Sequence, residues 1–154
     1  MLVLCILYVV IIIRLYQLMP CDNVDKPVYL TTCLKWSNRD AGSHVGHPRL
    51  HQHIAYGLWQ SKQYPESRQH FLQSCDGTGC GSMLAEYHQA RGFNSEVDMF
   101  IAQTVFQYLC LKKSLAAATA LVAYTEQHPK IKSGPPYSHP LLNFLWFLLL
   151  SVQV

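Results

Sequence analysis

Charge is what this sequence has least of. Only 14% of its 154 residues are Asp, Glu, Lys or Arg, half are hydrophobic, and the net charge is +3. No basic run exceeds a pair such as Lys112-Lys113. The clustered cationic footprint of a nucleic-acid binder is therefore missing. Cysteine pairs are missing too. The six cysteines, at 5, 21, 33, 75, 80 and 110, form no CxxC and no regular framework. That spacing predicts reduced thiols, as in the cytosol, rather than a disulfide scaffold. No run alternates apolar and polar residues for long enough to suggest a sheet.

Long membrane spans are also missing. Residues 1–13 are continuously apolar, but as a helix they rise only about 20 Å, short of a hydrocarbon core of roughly 30 Å. Extension to Met19 reaches about 28 Å and carries Arg14 along. A signal peptide would need a basic residue before the run and a small-residue cleavage site after it, and neither is present. A second apolar run, residues 141–152, is as short. Pro140 opens it and Asn143, Ser151 and Gln153 punctuate it, so it reads as a buried core helix. The competing reading is a membrane-anchored helical protein using residues 1–19.

What is present is helix, tight turn, helix. Asp25-Lys26-Pro27 predicts a helix start, with Pro27 in the first turn, where its missing N–H costs nothing. That helix carries Tyr29, Leu30, Cys33 and Leu34 and is expected to end near Trp36-Ser37, before a loop over 38–46. Pro48 opens the next, with Leu50, Ile54, Ala55, Leu58 and Trp59 in one stripe. Pro65 starts another, with Phe71 and Leu72 facing inward. A connection of about three residues forces those two helices to pack antiparallel.

Residues 75–82 hold three glycines and read as a flexible loop before a short helix over 83–90, closed by Gly92. Ser95-Glu96-Val97-Asp98 resembles a capping box. It starts the expected longest helix, 96–112, with Val97, Ile101, Val105, Tyr108 and Leu111 on one face. Met99, Phe106 and Cys110 form a second apolar face, which predicts a helix sandwiched between neighbours. Lys112-Lys113 suits its C-terminal dipole. An alanine-rich helix over 115–127 follows and stops at His128-Pro129. After a loop over 129–139, a last helix runs from Pro140 to about Val152. The class is all-α, an α-solenoid of antiparallel hairpins. Ala55, Leu58, Tyr64, Ser67, Phe71 and Ser74, and again Ala117, Leu121 and Pro129, fit the tetratricopeptide spacing loosely.

Candidate chemistry is thin. His44, His47, His51 and His53 cluster, and His47 and His51 have the i, i+4 spacing that lets two imidazoles share a metal. The HExxH glutamate is absent and no CxxC supplies a second half. Helix capping or packing is the favoured role for His47 and His51, and no metal or other cofactor is expected. Gly77-Thr78-Gly79-Cys80-Gly81 lacks the P-loop lysine and the preceding strand. Cys80 and Ser82 are nucleophiles only if a base is held beside them, and nothing in the sequence positions His88 for that. No catalytic residue is expected. The aromatic stretch 144–147 suits core packing better than a groove for an apolar client.

One resemblance is specific. It is carried by Leu34-Lys35-Trp36-Ser37, Gly46-His47-Pro48-Arg49-Leu50-His51, Glu66-Ser67-Arg68 and His70-Phe71-Leu72. It continues through Asp76-Gly77, Arg91-Gly92-Phe93, Ser95-Glu96-Val97-Asp98-Met99-Phe100, Leu109-Cys110-Leu111-Lys112, His128-Pro129, Gly134-Pro135-Pro136 and Pro140-Leu141-Leu142-Asn143-Phe144. These resemble the Golgi-to-endoplasmic-reticulum traffic protein 4 family, in one register from about Leu15 to Ser151.

The resemblance implies a cytosolic α-solenoid adaptor that hydrolyses nothing. It implies a complex with a ubiquitin-like protein and a BAG-domain scaffold, which passes tail-anchored membrane proteins to a targeting ATPase. The family's ATPase-facing surface lies in N-terminal hairpins that this sequence lacks, so the ATPase is not an expected partner. Residues 1–14 do not resemble the family and are expected to stand outside a folded unit spanning 15–154. The resemblance places the ubiquitin-like partner on the C-terminal half. Gly134-Pro135-Pro136 stiffens a loop there, and Tyr137, Leu142, Phe144 and Trp146 are the candidate partner-binding residues.

Overall fold

The computed structural model describes residues 2–20, 25–41 and 45–152. Among these, eight α-helices and one 3-10 turn account for the regular structure, and there is no strand. The helices are α1 (Leu2–Leu18), α2 (Lys26–Ala41), α3 (Pro48–Gln60), α4 (Tyr64–Gln73), α5 (Gly77–Arg91), α6 (Val97–Cys110), α7 (Ser114–Gln127) and α8 (Pro140–Val152). From α3 to α8 each helix stacks on its neighbour in the chain, and α5 and α7 make the most extensive contact. The all-α solenoid read from the sequence is the observed architecture.

Two hairpins turn in the same way. After α3, the Lys62 N–H bonds to the Trp59 carbonyl at 2.9 Å and the Gln63 N–H to the Leu58 carbonyl at 2.9 Å. After α6, Lys112 and Lys113 repeat this with Leu109 and Tyr108, again at 2.9 Å. Lys62 and Lys112 both have left-handed backbone, φ 60° and 57°. This is a Schellman closure with lysine where glycine is usual. Each turn reverses the chain in three residues, which is why the hairpins close so tightly.

The glycine-rich stretch is not a loop. It is the first turns of α5, and Gly77, Gly79, Cys80 and Gly81 are buried. The reason is the approach of α7. A Cβ on Gly77 would lie 2.0 Å from the Ala116 carbonyl oxygen, and one on Gly81 would lie 2.4 Å from that of Ala120. The α7 side of the crossing is likewise small, with Ala116, Ala117, Ala120 and Ala123 buried. Glycine here serves backbone contact, not flexibility. Asp76 starts the helix: its Oδ1 accepts the Gly79 N–H at 2.8 Å, while Oδ2 accepts from Gln52 and Tyr56.

Other expectations shift by smaller amounts. The helix after Pro27 runs on to Ala41 rather than stopping near Ser37. The reciprocal cap before α6 sits two residues earlier than read: the Glu96 N–H bonds to the Phe93 carbonyl, and the Glu96 carboxylate accepts from the Phe93 N–H. At 14 residues, α6 is shorter than α1 and α2. Lys113 caps a different helix from the one expected. Its ammonium donates to the carbonyls of Leu72, Gln73 and Ser74 at 2.7, 2.9 and 3.1 Å, closing the end of α4.

α1 lies on α2 and α3. Its inner side carries buried Val9, and Tyr8 stands edge-on to Trp36 at 5.8 Å. Leu7, Val10, Ile11, Leu15 and Leu18 are exposed.

Candidate partner-binding face

α8 is apolar on every side, so a single neighbour cannot cover it. Leu142, Leu145 and Leu149, at i, i+3 and i+7, are buried against the core. α6 and α7 are the elements packed on α8. Phe144, Phe147, Leu150 and Val152 are exposed, Phe147 at 63%. The sequence reading of a fully buried core helix is thus half right: one stripe is buried, and the opposite one faces outward.

The loop before α8 is pinned to it. Asn143 accepts the Tyr137 N–H at 2.7 Å and donates to the Tyr137 carbonyl at 2.8 Å. The Tyr137 ring packs on the core, and its hydroxyl lies 3.4 Å from Thr125 Oγ1. Gly134 folds over that ring so closely that a Cβ would lie 2.6 Å from Tyr137 Cδ1. A cavity of about 480 Å³ opens beneath, lined in part by Val122, Thr125, Ile131, Tyr137 and Trp146.

The four candidate residues are therefore not equivalent. Leu142 has no exposed surface and cannot touch a partner in this arrangement. Tyr137 is half-buried and ties the loop down, rather than standing free as an anchor. Phe144 is 53% exposed. Trp146 is half-buried and meets Phe147 edge-on at 4.9 Å. Sequence reasoning missed Phe147 and Leu150. Their signal was available, since Phe147 and Leu150 fall at i+3 and i+6 along the stripe from Phe144.

The histidines do not gather into one centre. His44 lies outside the described residues. His47 caps α3, its Nδ1 accepting from the Arg49 N–H at 3.3 Å. His53 is exposed. His51 is buried, with Nε2 2.9 Å from the Val45 carbonyl and Nδ1 2.9 Å from His70 Nδ1. Among the described residues no group of His, Cys, Asp or Glu could hold a metal ion. Cys80 is buried beside Tyr108 of α6 and its thiol is pushed up to about 12, mainly by burial, which leaves it unreactive as a nucleophile. The structure does position His88, but not beside Cys80. His88 Nε2 lies 2.9 Å from the Phe93 carbonyl, and His88 Nδ1 lies 2.8 Å from His128 Nε2.

Among the described residues no helix is long and apolar enough to cross a membrane.

Comparison with known proteins is direct. The model of the family described as Golgi to ER traffic protein 4 matches residues 8–154. That span begins inside the 1–14 segment set apart on sequence grounds. The Golgi to ER traffic protein 4 homolog of Bos taurus is 51% identical over 140 residues, covering 91% of this chain and 43% of that protein. The Homo sapiens homolog is 50% identical, covering 91% and 42%. The chain therefore spans less than half the length of the curated relatives it matches. Among solved structures, the crystal structure of C. therm. Get4 superposes with a TM-score of 0.76 at 21% identity, over 90% of this chain and 48% of that one.

Proposed function

The chain belongs to the Golgi to ER traffic protein 4 family, and from that membership we propose that it is a non-catalytic adaptor in the delivery of tail-anchored membrane proteins to the endoplasmic reticulum. In this reading it works in the cytosol and holds a ubiquitin-like protein and a BAG-domain scaffold. The observation that carries the reading is the family match along residues 8–154. The exposed stripe of α8 gives the adaptor a physical means of docking: Phe144 and Phe147 are large, rigid aromatics of the kind that dominate binding energy.

The test is titration calorimetry of this chain with the purified ubiquitin-like protein. Binding should weaken at least tenfold in Phe144→Glu and Phe147→Glu. Leu142→Val should leave affinity unchanged, because that side chain meets only the core. Equal affinity in the wild type and in both charge variants would remove the α8 stripe from the interface.

A further inference from the structure

The second apolar face of α6 is not covered. Met99 is 60% exposed and Phe106 is 40% exposed, where the sequence pattern predicted a sandwiched helix. Together with Phe100, Leu141 of α8, Tyr87 of α5 and Arg68 of α4, they line a groove of about 640 Å³. Its back wall is stiff. Tyr87 is stacked on Tyr64 at 4.8 Å and stands edge-on to Phe100 at 5.3 Å.

Two charged groups line this groove, and they are not equivalent. The Glu96 carboxylate is engaged at the α6 start, accepting the Phe93 N–H. The Arg68 guanidinium donates to the neutral Gln103 amide oxygen at 2.8 Å. Among the described residues it has no carboxylate within ion-pair distance. The groove thus combines a broad apolar floor with a half-buried cation that has no ion-pair partner among the described residues, and with the Glu96 carboxylate held at the start of α6.

We propose that this groove is a second protein-docking site, distinct from the α8 stripe, which takes an amphipathic helix bearing large apolar side chains and a flanking carboxylate that pairs with Arg68. A helix fits because the groove runs between helices, and no described strand edge offers backbone pairing. A carboxylate fits because a guanidinium binds it through two parallel hydrogen bonds. A flat bilayer does not fit a recessed cation in a concave site. A second copy of this chain fits poorly as well, since its most apolar helices, α1 and α8, contain no Asp or Glu. The occupant we assign on this charge and shape is a partner protein with an acidic, leucine- or phenylalanine-rich helical segment. This goes beyond the adaptor reading and does not depend on the ubiquitin-like partner.

The test uses the full chain labelled with 15N and two acetylated 18-residue peptides. Both carry leucines at i, i+3, i+4 and i+7; one has glutamates on the flanks, the other lysines. The glutamate peptide should shift the amides of Met99, Phe100, Gln103, Phe106 and Leu141, and should bind at least tenfold more tightly than the lysine peptide. Arg68→Glu should reverse that preference, and Phe106→Glu should abolish binding while amide dispersion is kept. Phe147→Glu, outside the lining, should leave the affinity for the glutamate peptide unchanged, which separates this site from the α8 stripe. Equal affinity for the two peptides, or binding retained in a folded Phe106→Glu variant, would overturn the proposal. So would sedimentation showing a dimer that Phe106→Glu dissolves.

Discussion

His128 Nε2 lies 2.8 Å from His88 Nδ1, and both rings are buried. The Lys130 N–H donates to His128 Nδ1 at 3.2 Å, so His128 carries its proton on Nε2 and donates to His88. His88 then donates from Nε2 to the Phe93 carbonyl. The chain of bonds is satisfied only while both rings are neutral. It ties the end of α7 to the end of α5 and to the turn that caps α6. The His70–His51 pair works the same way, with His51 donating to the Val45 carbonyl and accepting from His70.

Stability should therefore fall with acid. Burial, with the neighbouring His88 second, lowers His128 from 6.5 to about 4. Burial, with His51 second, lowers His70 to about 4. The unfolded chain binds these protons near pH 6.5 and the folded one does not, so the stabilisation is present above pH 6.5 and is lost as pH falls toward 4. Each histidine should contribute about 1–2 kcal/mol of the loss between pH 7.5 and 5, His70 less because it is partly exposed. Urea titrations at the two pH values check this. His128→Gln should flatten the pH dependence; an unchanged slope would show that His128 is not buried neutral.

The same substitution at two glycines should have opposite signs. Gly81→Ala places a methyl 2.4 Å from the Ala120 carbonyl oxygen, and α5 must move off α7. Overpacking of that kind costs about 1–3 kcal/mol or more. Gly57 lies in the interior of α3, and its added Cβ would meet only the Tyr16 hydroxyl at 3.7 Å. Gly57→Ala should stabilise by about 0.5–1 kcal/mol through helix propensity. Thermal melts of the two variants give the comparison.

Lys113→Met keeps the length of the side chain and removes its donors. The carbonyls of Leu72, Gln73 and Ser74 then lose their ammonium. A loss of about 1–3 kcal/mol is expected. Lys112→Met, at an exposed neighbouring position, should change stability by less than about 0.5 kcal/mol. Chemical denaturation of the pair isolates the cap from the charge.

Removing residues 1–14 tests the proposed boundary of the folded unit. The cut discards the buried Val9 side chain and the Tyr8–Trp36 contact. It spares the main core, whose members run from Ala55 to Leu149. The unfolding free energy from urea titration should fall by no more than one buried valine is worth, about 1.5–3 kcal/mol. Solubility should rise, since exposed Leu7, Val10 and Ile11 go with the segment. A larger loss would make α1 a full member of the stack.

The sequence by itself determined the helices and their order. Pro48, Pro65 and Pro140 mark starts, and the stripes Leu50-Ile54-Ala55 and Val97-Ile101-Val105-Tyr108 mark inner faces, because helical periodicity is a local property. It also carried the family, through motifs in one register. What it could not decide was which apolar surface meets which. The glycines from 77 to 81 read as a loop because their purpose, room for the α7 backbone, lies some forty residues away in the chain. The second face of α6 and the outer stripe of α8 read as buried because apolarity alone does not say whether a neighbour arrives. Only the tertiary arrangement brought His128 to His88 and Lys113 to the end of α4. It also left Met99 and Phe106 open beside Arg68, since these relationships depend on distances in space that no local pattern encodes.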